Sequence, residues 1–380
     1  VRGQVVLLKM SPVNDYLAPV LEEVFEPFVA AGYLRVVCAG AEVGEYLVRH
    51  SSIDDVHITG SAATHDAIVW GVGEQAAERR RRGEPLLEKP ISSELGGVSP
   101  VIVVPGPWSA SDLRYQAEHV VTMKLHNAGC NCVAAQVLVL PREWPLRGAF
   151  LDELRRLMAA LPSRVAFYPG AGVRQRAAVA AHTGAELFGG DVPRTLITGL
   201  DPEATHEYCF SSEAFGEVLA EVSLPGADTT SFLGNAVAFC NRRLAGTLGA
   251  NLLVHPRTMR EAAAALDRAV ADLEYGAVGV NVWAAIAFLL AQATWGAYPG
   301  HTLEDVGSGI GVVRNSFLFD SPQKTVARGP FRSFPRSFMH GDFSLLPKPP
   351  WFVTNRTAHC TARRVAAFAL RPRHDGKSHL

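Results

Sequence analysis

The sequence predicts an α/β protein with two domains, on three observations. Over the first hundred residues, short β-branched runs alternate with amphipathic helical patterns, which is typical of strand–helix–strand units in a parallel sheet. The chain has 380 residues, enough for one or two cores of ordinary size. It is 48% hydrophobic and 19% charged with a formal net charge of -1, so nothing attracts it to nucleic acid or anionic lipid, and we expect a small-molecule partner.

The N-terminal elements follow from period and turn residues. Strands are predicted, in chain order, for Val5–Leu8, Leu34–Cys38, Asp55–Ile58 and Val98–Val104. An apolar stripe predicts one helix from a cap at Asn14 to Gly32. Shorter helices are predicted for Val43–Arg49 and Thr64–Trp70, and the charged, non-periodic run Glu78–Glu84 is interpreted as a solvated surface loop.

Later elements place two cysteines at a junction. A helical pattern over Ser111–Asn127 leads to Cys130 and Cys132, and a strand is predicted for Val137–Leu140. Further on, the patterns predict an arginine-rich amphipathic helix after Leu151, an alanine-rich segment over Arg174–Ala181 and a strand-rich stretch through Ala250. A helix over Met259–Leu273 and a strand over Val278–Val282 follow. Weak periodicity from Gly296 to Phe352 predicts extended arms that could pack on a partner subunit.

The cysteines and the apolar runs indicate the cellular compartment of the protein. Six scattered cysteines are too few for a disulfide framework in a chain of this length, so reduced thiols and a cytoplasmic location are expected. No apolar run reaches the ~20 residues that a membrane helix needs. A buried strand begins close to Val1, with no signal peptide there, so the sequence is consistent with a fragment that starts inside a domain.

Two segments carry the most specific signal. Glu94-Leu95-Gly96-Gly97-Val98-Ser99-Pro100 is followed, 32 residues after Gly97, by Gly129-Cys130-Asn131-Cys132-Val133-Ala134. This pair resembles the E-L-G-G-x-S-P and G-Q-x-C-x-A motifs of NAD(P)-dependent aldehyde dehydrogenases. The resemblance implies that Cys132 is the catalytic nucleophile and Glu94 the general base.

The implied chemistry needs these residue types. A thiolate makes the aldehyde carbon tetrahedral, a hydride then leaves for the nicotinamide, and a thioester remains. A free cysteine is only a few per cent thiolate near neutral pH, so a base or a lowered pKa is required. Glu94 would supply the base and also activate the water that hydrolyses the thioester, while backbone N–H groups near Cys132 would hold the oxyanion.

Weaker matches in the same order indicate cofactor residues. Gly3–Lys9 resembles the family strand whose lysine holds the adenosine ribose, Ile58–Ser61 the turn under the pyrophosphate, and Glu213–Gly216 the E-x-F-G segment. Gly40 and Gly44 are added because they belong to a strand-to-helix turn, where backbone N–H groups can bind phosphate. The full set of expected cofactor residues is Lys9, Gly40, Gly44, Gly60, Ser61, Leu95, Gly96, Glu213 and Phe215. Since no acidic residue follows Lys9 directly, NAD and NADP are both admissible.

The resemblance predicts a domain order and an assembly state. It implies an aldehyde-dehydrogenase-like fold in which a partial Rossmann-type cofactor domain over residues 1–97 precedes an α/β catalytic domain over 98–281. A C-terminal return segment, residues 282–380, would include an oligomerisation arm. Family members carry a long segment before the strand of Lys9, with an asparagine that completes the oxyanion hole, and they are usually homo-oligomers.

Some positions depart from the family pattern. Cys130 replaces a glutamine, Val98 a lysine and Glu217 a proline, and His65 stands where a glycine is common and could crowd the pyrophosphate. These departures leave the nucleophile and base in place but put the cofactor pose and substrate class in question.

Three alternatives stay open beside aldehyde oxidation. A CoA-acylating enzyme would pass the thioester to a thiol, although the presence of Glu94 argues against it because thiol transfer needs no such base. A catalytically silent or incomplete homologue could instead act as a binding or assembly subunit. Cys130, Cys132 and His126 could form part of a metal site, but no second cysteine cluster completes four ligands, so no metal is expected.

Overall fold

Runs rich in β-branched residues form strands such as β2 and β5, and apolar stripes form helices such as α7. The computed structural model describes residues 3–341 and 348–370. The chain divides into two units: unit 1 is Val1–Ser93 with Thr302–Val306, and unit 2 is Glu94–His301 with Gly307–Leu380.

The elements alternate through most of the chain. The strands are β1 Val6–Met10, β2 Leu34–Cys38, β3 Val56–Gly60, β4 Ile91–Leu95, β5 Ser99–Val103, β6 Ala135–Pro141, β7 Glu186–Phe188, β8 Arg194–Leu200, β9 Val218–Leu224, β10 Gly249–Leu253, β11 Ala277–Val280 and β12 Thr325–Arg328. The α-helices are α1 Ala18–Val24, α2 Glu26–Ala30, α3 Ala41–Arg49, α4 Ala62–Val69, α5 Glu74–Arg82, α6 Ala110–Leu125, α7 Arg147–Ala160, α8 Ala171–Ala181, α9 Tyr208–Ser211, α10 Thr229–Arg243, α11 Pro256–Glu261, α12 Ala263–Asp272, α13 Ala285–Leu289, α14 Arg336–Met339 and α15 Ala358–Ala369.

Unit 1 begins with a strand–helix–strand crossover, as the alternation predicts. β1 and β2 pair in parallel with Val6 opposite Leu34, and β3 and β4 form a second two-stranded sheet. The single helix predicted after Asn14 is wrong: α1 and α2 are separated at Phe25. Pro27 lacks the N–H that a continuous helix would use, and Asn14 makes no side-chain cap hydrogen bond.

The charged run predicted as a loop is helical. α5 continues through four arginines and ends at Gly83, which adopts a left-handed conformation (φ +64) as its C-cap. Arg81 and Glu78 pair one turn apart at 2.5 Å, and arginines in the last turn complement the helix dipole. The loop prediction was therefore wrong, whereas the surface position is confirmed.

Unit 2 is built on an eight-stranded sheet in the order β12-β11-β10-β5-β6-β9-β8-β7. All neighbours run parallel except β7, which is antiparallel to β8. Side chains of β5 alternate between two buried cores, with Val101 and Val103 on one face and Ile102 on the other. Helices therefore cover both faces, as expected for a parallel sheet.

The outer layers come from helices before and after the central strands. α6 and α7 supply one core with Val120, Met123 and Leu154, and α10 and α12 supply the other with Phe232 and Leu266. The helix predicted over Met259–Leu273 is divided into α11 and α12. In the weakly periodic C-terminal segment, β12 pairs with β11, so part of that segment completes the sheet.

The sheet places two predicted motif segments side by side. Residues 94–97 precede β5 and residues 129–133 precede β6, and these strands are neighbours. Because parallel strands begin at the same edge of a sheet, both segments lie at that edge. No helix in the part of the chain that the structure describes combines the length and apolar character needed to cross a membrane.

Candidate active site

A strained turn presents Cys132 at the predicted junction between helix and strand. After α6, Asn127, Ala128 and Gly129 all have positive φ, at 56°, 53° and 72°. A Cβ on Gly129 would collide with the carbonyl group of Gly216, so only glycine fits this close approach. The turn delivers Cys132 to the start of β6, half-buried.

The thiol of Cys132 lies beside the carboxyl group of Glu94. Its Sγ is 3.9 Å from Glu94 Oε1, within the reach of a sulfur hydrogen bond. Burial, followed by the charges of Glu94 and Glu213, raises the pKa of Cys132 to about 12, and only its own backbone N–H opposes this rise. Near neutral pH the group is therefore a thiol whose proton points to Glu94.

A tryptophan far along the chain fixes Glu94. The carboxyl group is 5% exposed, and Trp295 Nε1 donates to Glu94 Oε1 at 2.6 Å. Trp295 itself is 1% exposed and lies in the segment whose periodicity is weak. Sequence analysis did not identify it, because no local pattern marks a side chain 201 residues away as a partner of Glu94.

Glu213 forms the second acidic group of this edge. Its carboxylate lies where a Cβ on Gly96 would stand, so a larger residue at position 96 would displace the Glu213 side chain. Burial raises the pKa of Glu213 to about 7, while a hydrogen bond from the Gly97 backbone and the charges of Lys124 and Arg174 hold it lower than burial alone would. Glu213 thus changes its ionisation close to neutral pH.

Two cations hold the loop of Glu213, residues 213–217, and we call Lys124 and Arg174 the loop clamp. Arg174 Nε donates to Ala214 O at 2.7 Å and its Nη2 to Phe215 O at 3.3 Å. Lys124 Nζ donates to Gly216 O at 2.9 Å. Three successive carbonyl groups are thereby bound on a loop where Phe215 has φ 39°, a conformation that needs surrounding support.

Lys124 is an unusual member of this clamp because it lies within the core. It is 1% exposed on α6. Burial lowers its pKa to about 8, and the negative charges of Glu213 and Glu217 oppose that fall. Neither Lys124 nor Arg174 belongs to a recognised motif, so sequence analysis missed both, although a lysine in an apolar helical stripe was a signal.

The remaining predicted cofactor residues of unit 2 share this neighbourhood. Leu95 is buried, and its N–H donates to Ser308 O at 2.8 Å. Ser308 Oγ in turn donates to Gly96 O at 2.9 Å. The ring of Phe215 packs edge-on against Tyr168, with centroids 4.9 Å apart.

The predicted cofactor residues of unit 1 lie at strand ends and helix starts. Lys9 is in β1, and its Cε is 3.8 Å from the position of a Cβ on Gly44 in α3. Gly40 is the N-cap of α3. Gly60 ends β3, and Ser61 caps α4 by accepting from Thr64 N at 3.2 Å.

Two family departures have structural explanations. His65 is fully buried within unit 1, with Nδ1 3.4 Å from Asp66 Oδ1. Cys130 directs its Sγ at the carbonyl oxygens of Ala128 and Phe215, at 3.8 and 3.7 Å. Its thiol therefore belongs to the packing between the Cys132 turn and the Glu213 loop.

The sequence is similar to that of known aldehyde dehydrogenases. Residues 1–173 match the model of the Aldehyde dehydrogenase family. An aminoacetaldehyde dehydrogenase of Pseudomonas aeruginosa is 29% identical over 258 residues, which cover 62% of this chain and 48% of that protein.

Solved structures show the same fold at lower identity. A Mycobacterium tuberculosis aldehyde dehydrogenase complexed with NAD+ aligns with a TM-score of 0.60 and 23% identity, covering 82% of this chain and 60% of that one. An NADP-dependent glyceraldehyde-3-phosphate dehydrogenase from Bacillus halodurans complexed with NADP gives 0.59 and 19%, covering 82% and 60%. The chain thus spans about half the length of the curated relative and three fifths of these structures.

Proposed function

We propose that the chain belongs to the aldehyde dehydrogenase family, which its first 173 residues match, and that it oxidises an aldehyde to a carboxylic acid with NAD or NADP. The observation that carries this proposal is the approach of Cys132 Sγ to Glu94 Oε1, at 3.9 Å on the edge shared by β5 and β6. A nucleophile within reach of a base is the arrangement that covalent catalysis requires.

The first chemical step joins Cys132 to the aldehyde carbon. Since the Cys132 thiol has a pKa of about 12, it must lose its proton as the S–C bond forms, and Glu94 is placed to accept that proton. The product is a thiohemiacetal whose oxygen carries the negative charge until the hydride leaves. Loss of a hydride from its carbon leaves a thioester on Cys132.

The second step releases the acid. Glu94 first releases the proton of Cys132 to solvent and then takes a proton from water as the water oxygen attacks the thioester carbon. The C–S bond breaks, and the proton on Glu94 passes to sulfur to regenerate the Cys132 thiol. Trp295 holds the carboxyl group of Glu94 in place through both steps. This use of Glu94 for hydrolysis favours acid formation over acyl transfer to a thiol such as CoA.

The residues present fit a nicotinamide dinucleotide. The open face of Gly44 beside Lys9 suits the approach of ribose hydroxyls, and Gly60 lies directly before the start of α4, where backbone N–H groups suit phosphate oxygens. The Glu42 carboxylate occupies the space beside Gly40 and must move for a phosphate to approach there. When bound, the cofactor supplies the hydride acceptor. Since the hydride leaves a carbon attached to Cys132, we assign the nicotinamide half to Leu95, Gly96, Glu213 and Phe215, which lie in the same unit as Cys132.

We also propose a cellular location, an assembly state and a division into domains. We place the protein in the cytoplasm because all six cysteines are free thiols. We expect a homo-oligomer in which the C-terminal segment, residues 282–380, contributes to the interface, with residues 1–97 as the cofactor domain and 98–281 as the catalytic domain. Exposed apolar side chains of that segment include Phe317 and Phe368.

The test measures reduced-cofactor formation from a medium-chain aldehyde with NAD and with NADP. It uses this chain, a version extended at the N-terminus to the length of its relatives, and the variants Cys132→Ala and Glu94→Gln in each background. We expect turnover that Cys132→Ala abolishes. Glu94→Gln should lower steady-state turnover by ~10²–10⁴-fold, the usual contribution of a general base, and should let a thioester accumulate that mass spectrometry detects.

Three results would contradict the proposal. Turnover that survives Cys132→Ala would exclude this thiol as the nucleophile. A folded, cofactor-binding extended protein with no Cys132-dependent turnover for any aldehyde would instead support a binding or assembly subunit. Rapid transfer of the acyl group to CoA, unaffected by Glu94→Gln, would indicate the acylating alternative.

A further inference from the structure

A second cluster of reactive side chains lies behind the Glu213 loop. His182 follows the last turn of α8, Glu207 is the N-cap of α9, and Cys209 lies within α9. One ligand atom from each residue lies within 4.8 Å of the other two. The His182 and Glu207 side chains are 12% and 10% exposed, and Cys209 is fully buried.

In neutral His182, one ring nitrogen faces a carboxylate oxygen that cannot donate a hydrogen bond to it. Its Nδ1 lies 2.7 Å from Ala178 O, which can only accept, so Nδ1 carries the proton of the neutral ring. Its Nε2 then presents a lone pair to Glu207 Oε1, which lies 2.9 Å away. Two electron pairs that face each other need a cation between them, either a proton, which makes the pair a salt bridge, or a metal ion.

This orientation is the one that histidine adopts as a metal ligand. Metal-binding histidines donate their other ring N–H to a backbone carbonyl or carboxylate, which fixes the tautomer and aims the free nitrogen at the ion. Here Ala178 O fills that role, while a carboxylate and a thiol complete a set of nitrogen, oxygen and sulfur donors. Such a mixed set suits Zn²⁺, whose bonds to these atoms are ~2.0–2.3 Å long.

We propose that His182, Glu207 and Cys209 form a binding site for a divalent transition-metal ion, with Zn²⁺ the best match and water as the fourth ligand. Bonds of that length place tetrahedral ligand atoms about 3–4 Å apart, so small side-chain movements from the separations seen here are enough. On binding, the Cys209 S–H proton leaves to solvent and the thiolate bonds to the metal.

The ion would connect to the Glu213 loop through Gln136. Gln136 Nε2 donates to Cys209 O at 2.9 Å, and its Oε1 accepts from Ala214 N at 2.8 Å. A metal that ties the end of α8 to α9 therefore stabilises the support of residues 213–217. The site itself contains neither Cys132 nor Glu94, so its test does not depend on aldehyde turnover.

The experiment titrates chelator-treated protein with Co²⁺, whose bond to a thiolate gives a near-ultraviolet charge-transfer band, and measures bound Zn²⁺ by elemental analysis. Wild type should bind one equivalent with the band present. Cys209→Ser should lose the band, and His182→Gln should weaken binding at least about tenfold. The controls Cys240→Ser, another fully buried cysteine, and Cys132→Ser should retain both band and stoichiometry.

The effect of Zn²⁺ on the Tm distinguishes loss of the metal site from poor folding of a variant. Zn²⁺ should raise the Tm of wild type and of Cys240→Ser, because an ion that binds only the folded state stabilises it, and should leave the Tm of Cys209→Ser unchanged. The proposal fails if the band persists in Cys209→Ser, if it disappears in Cys132→Ser or in a Cys38→Ser, Cys360→Ser double variant, or if wild type binds no ion.

Discussion

The carboxyl group of Glu94 accepts a hydrogen bond from a tryptophan of the core. Trp295 Nε1 reaches it at 2.6 Å where both residues are buried. A hydrogen bond to a charged group contributes ~1.5–3 kcal/mol, and losing its donor leaves a buried acceptor less well satisfied. The orientation of the candidate base and the stability of unit 2 therefore share one contact.

Trp295→Phe should separate that contact from simple loss of volume. We expect the free energy of unfolding to fall by about 2 kcal/mol more than in Trp108→Phe, since Trp108 is also buried but its Nε1 has no hydrogen-bond partner among the described residues. Proposed turnover should fall at least about tenfold in Trp295→Phe alone, because the base loses its fixed position. Urea denaturation and steady-state kinetics measure both effects, and indistinguishable variants would contradict the role of Trp295.

The charge on Lys124 carries a cost that depends on pH. Burial lowers its pKa to about 8 from 10.5, so the folded state binds fewer protons than the unfolded state between these values. The penalty for burying the charge is complete below about pH 8 and disappears as the pH rises toward 10.5. Wild type should therefore gain stability through Lys124 as the solution becomes alkaline.

Lys124→Met removes this dependence while keeping most of the side-chain volume. The stability of the variant relative to wild type should decrease by about 2 kcal/mol between pH 7 and pH 9.5, at 1.36 kcal/mol per pH unit above the folded pKa. Urea unfolding of both proteins at the two pH values measures the difference. An equal difference at both values would show that Lys124 titrates normally.

At this scale the sequence predicts residues that belong to short motifs and misses those that act across distance. Cys132 and Glu94 were found because two segments stand in register, and the structure brings their side chains together. Trp295, Lys124 and Arg174 were not found. Their partners lie 201, 92 and 40 residues away, and only the folded chain defines those pairs.

The start of α6 is an element whose cap also anchors the C-terminal segment. Ser109 and Asp112 form a capping box, and Asp112 Oδ1 also accepts from Arg332 at 2.7 Å and Arg336 at 3.0 Å. Burial would raise the pKa of Asp112, but hydrogen bonds from Ser109 and Arg332 outweigh it and hold the pKa below its usual value. This carboxylate contributes stability above its unfolded pKa, and that stability is lost as the pH falls through the folded pKa.

Asp112→Asn should lower the free energy of unfolding by ~3–5 kcal/mol at pH 7, because it leaves two partly buried arginines without their carboxylate. The loss relative to wild type should shrink in acid. Asp228→Asn is the matched control, since Asp228 also belongs to a capping box, on α10, but is exposed and holds no arginine. Urea unfolding of both variants should give the smaller loss for Asp228→Asn, and the reverse order would refute the anchoring role.

Elements were predicted where the apolar pattern is clear, and a helix was missed where charged residues replace the apolar ones. β2 was predicted with its observed bounds because its β-branched run is short and clearly bounded. α5 was missed because its residues are polar on all sides, and helix formation there depends on charge pairs such as Glu78 with Arg81 and on the Gly83 cap. The break between α1 and α2 was overlooked because the apolar spacing continues across Pro27.

At the scale of the whole molecule, the α/β class was predictable and the strand order was not. Alternation of strands and helices requires a parallel sheet with both faces covered, which unit 2 has. The order β10-β5-β6-β9 depends on which strands meet in space, and no local pattern encodes that choice. The pairing of β12 from a segment without clear periodicity was equally hidden.

Hydrogen exchange should show that the strands differ in local stability. Every residue of β5 and β6 is buried, whereas β1 is largely exposed and pairs only with β2. Two-stranded sheets with little buried apolar area are weakly stable. Mass spectrometry should find amides of 99–103 and 135–141 protected by several orders of magnitude more than those of 6–10. Similar protection would contradict the difference in local stability.

The contact between Trp295 and Glu94 also sets an order of events during synthesis. Their 201-residue separation corresponds to roughly 10–40 s of translation at ordinary elongation rates. Cys132 and Glu94 therefore leave the ribosome well before the side chain that immobilises the base, and before β12 can join the sheet. The carboxyl group of Glu94 is therefore immobilised late in synthesis, after the strands from β5 to β11 have emerged.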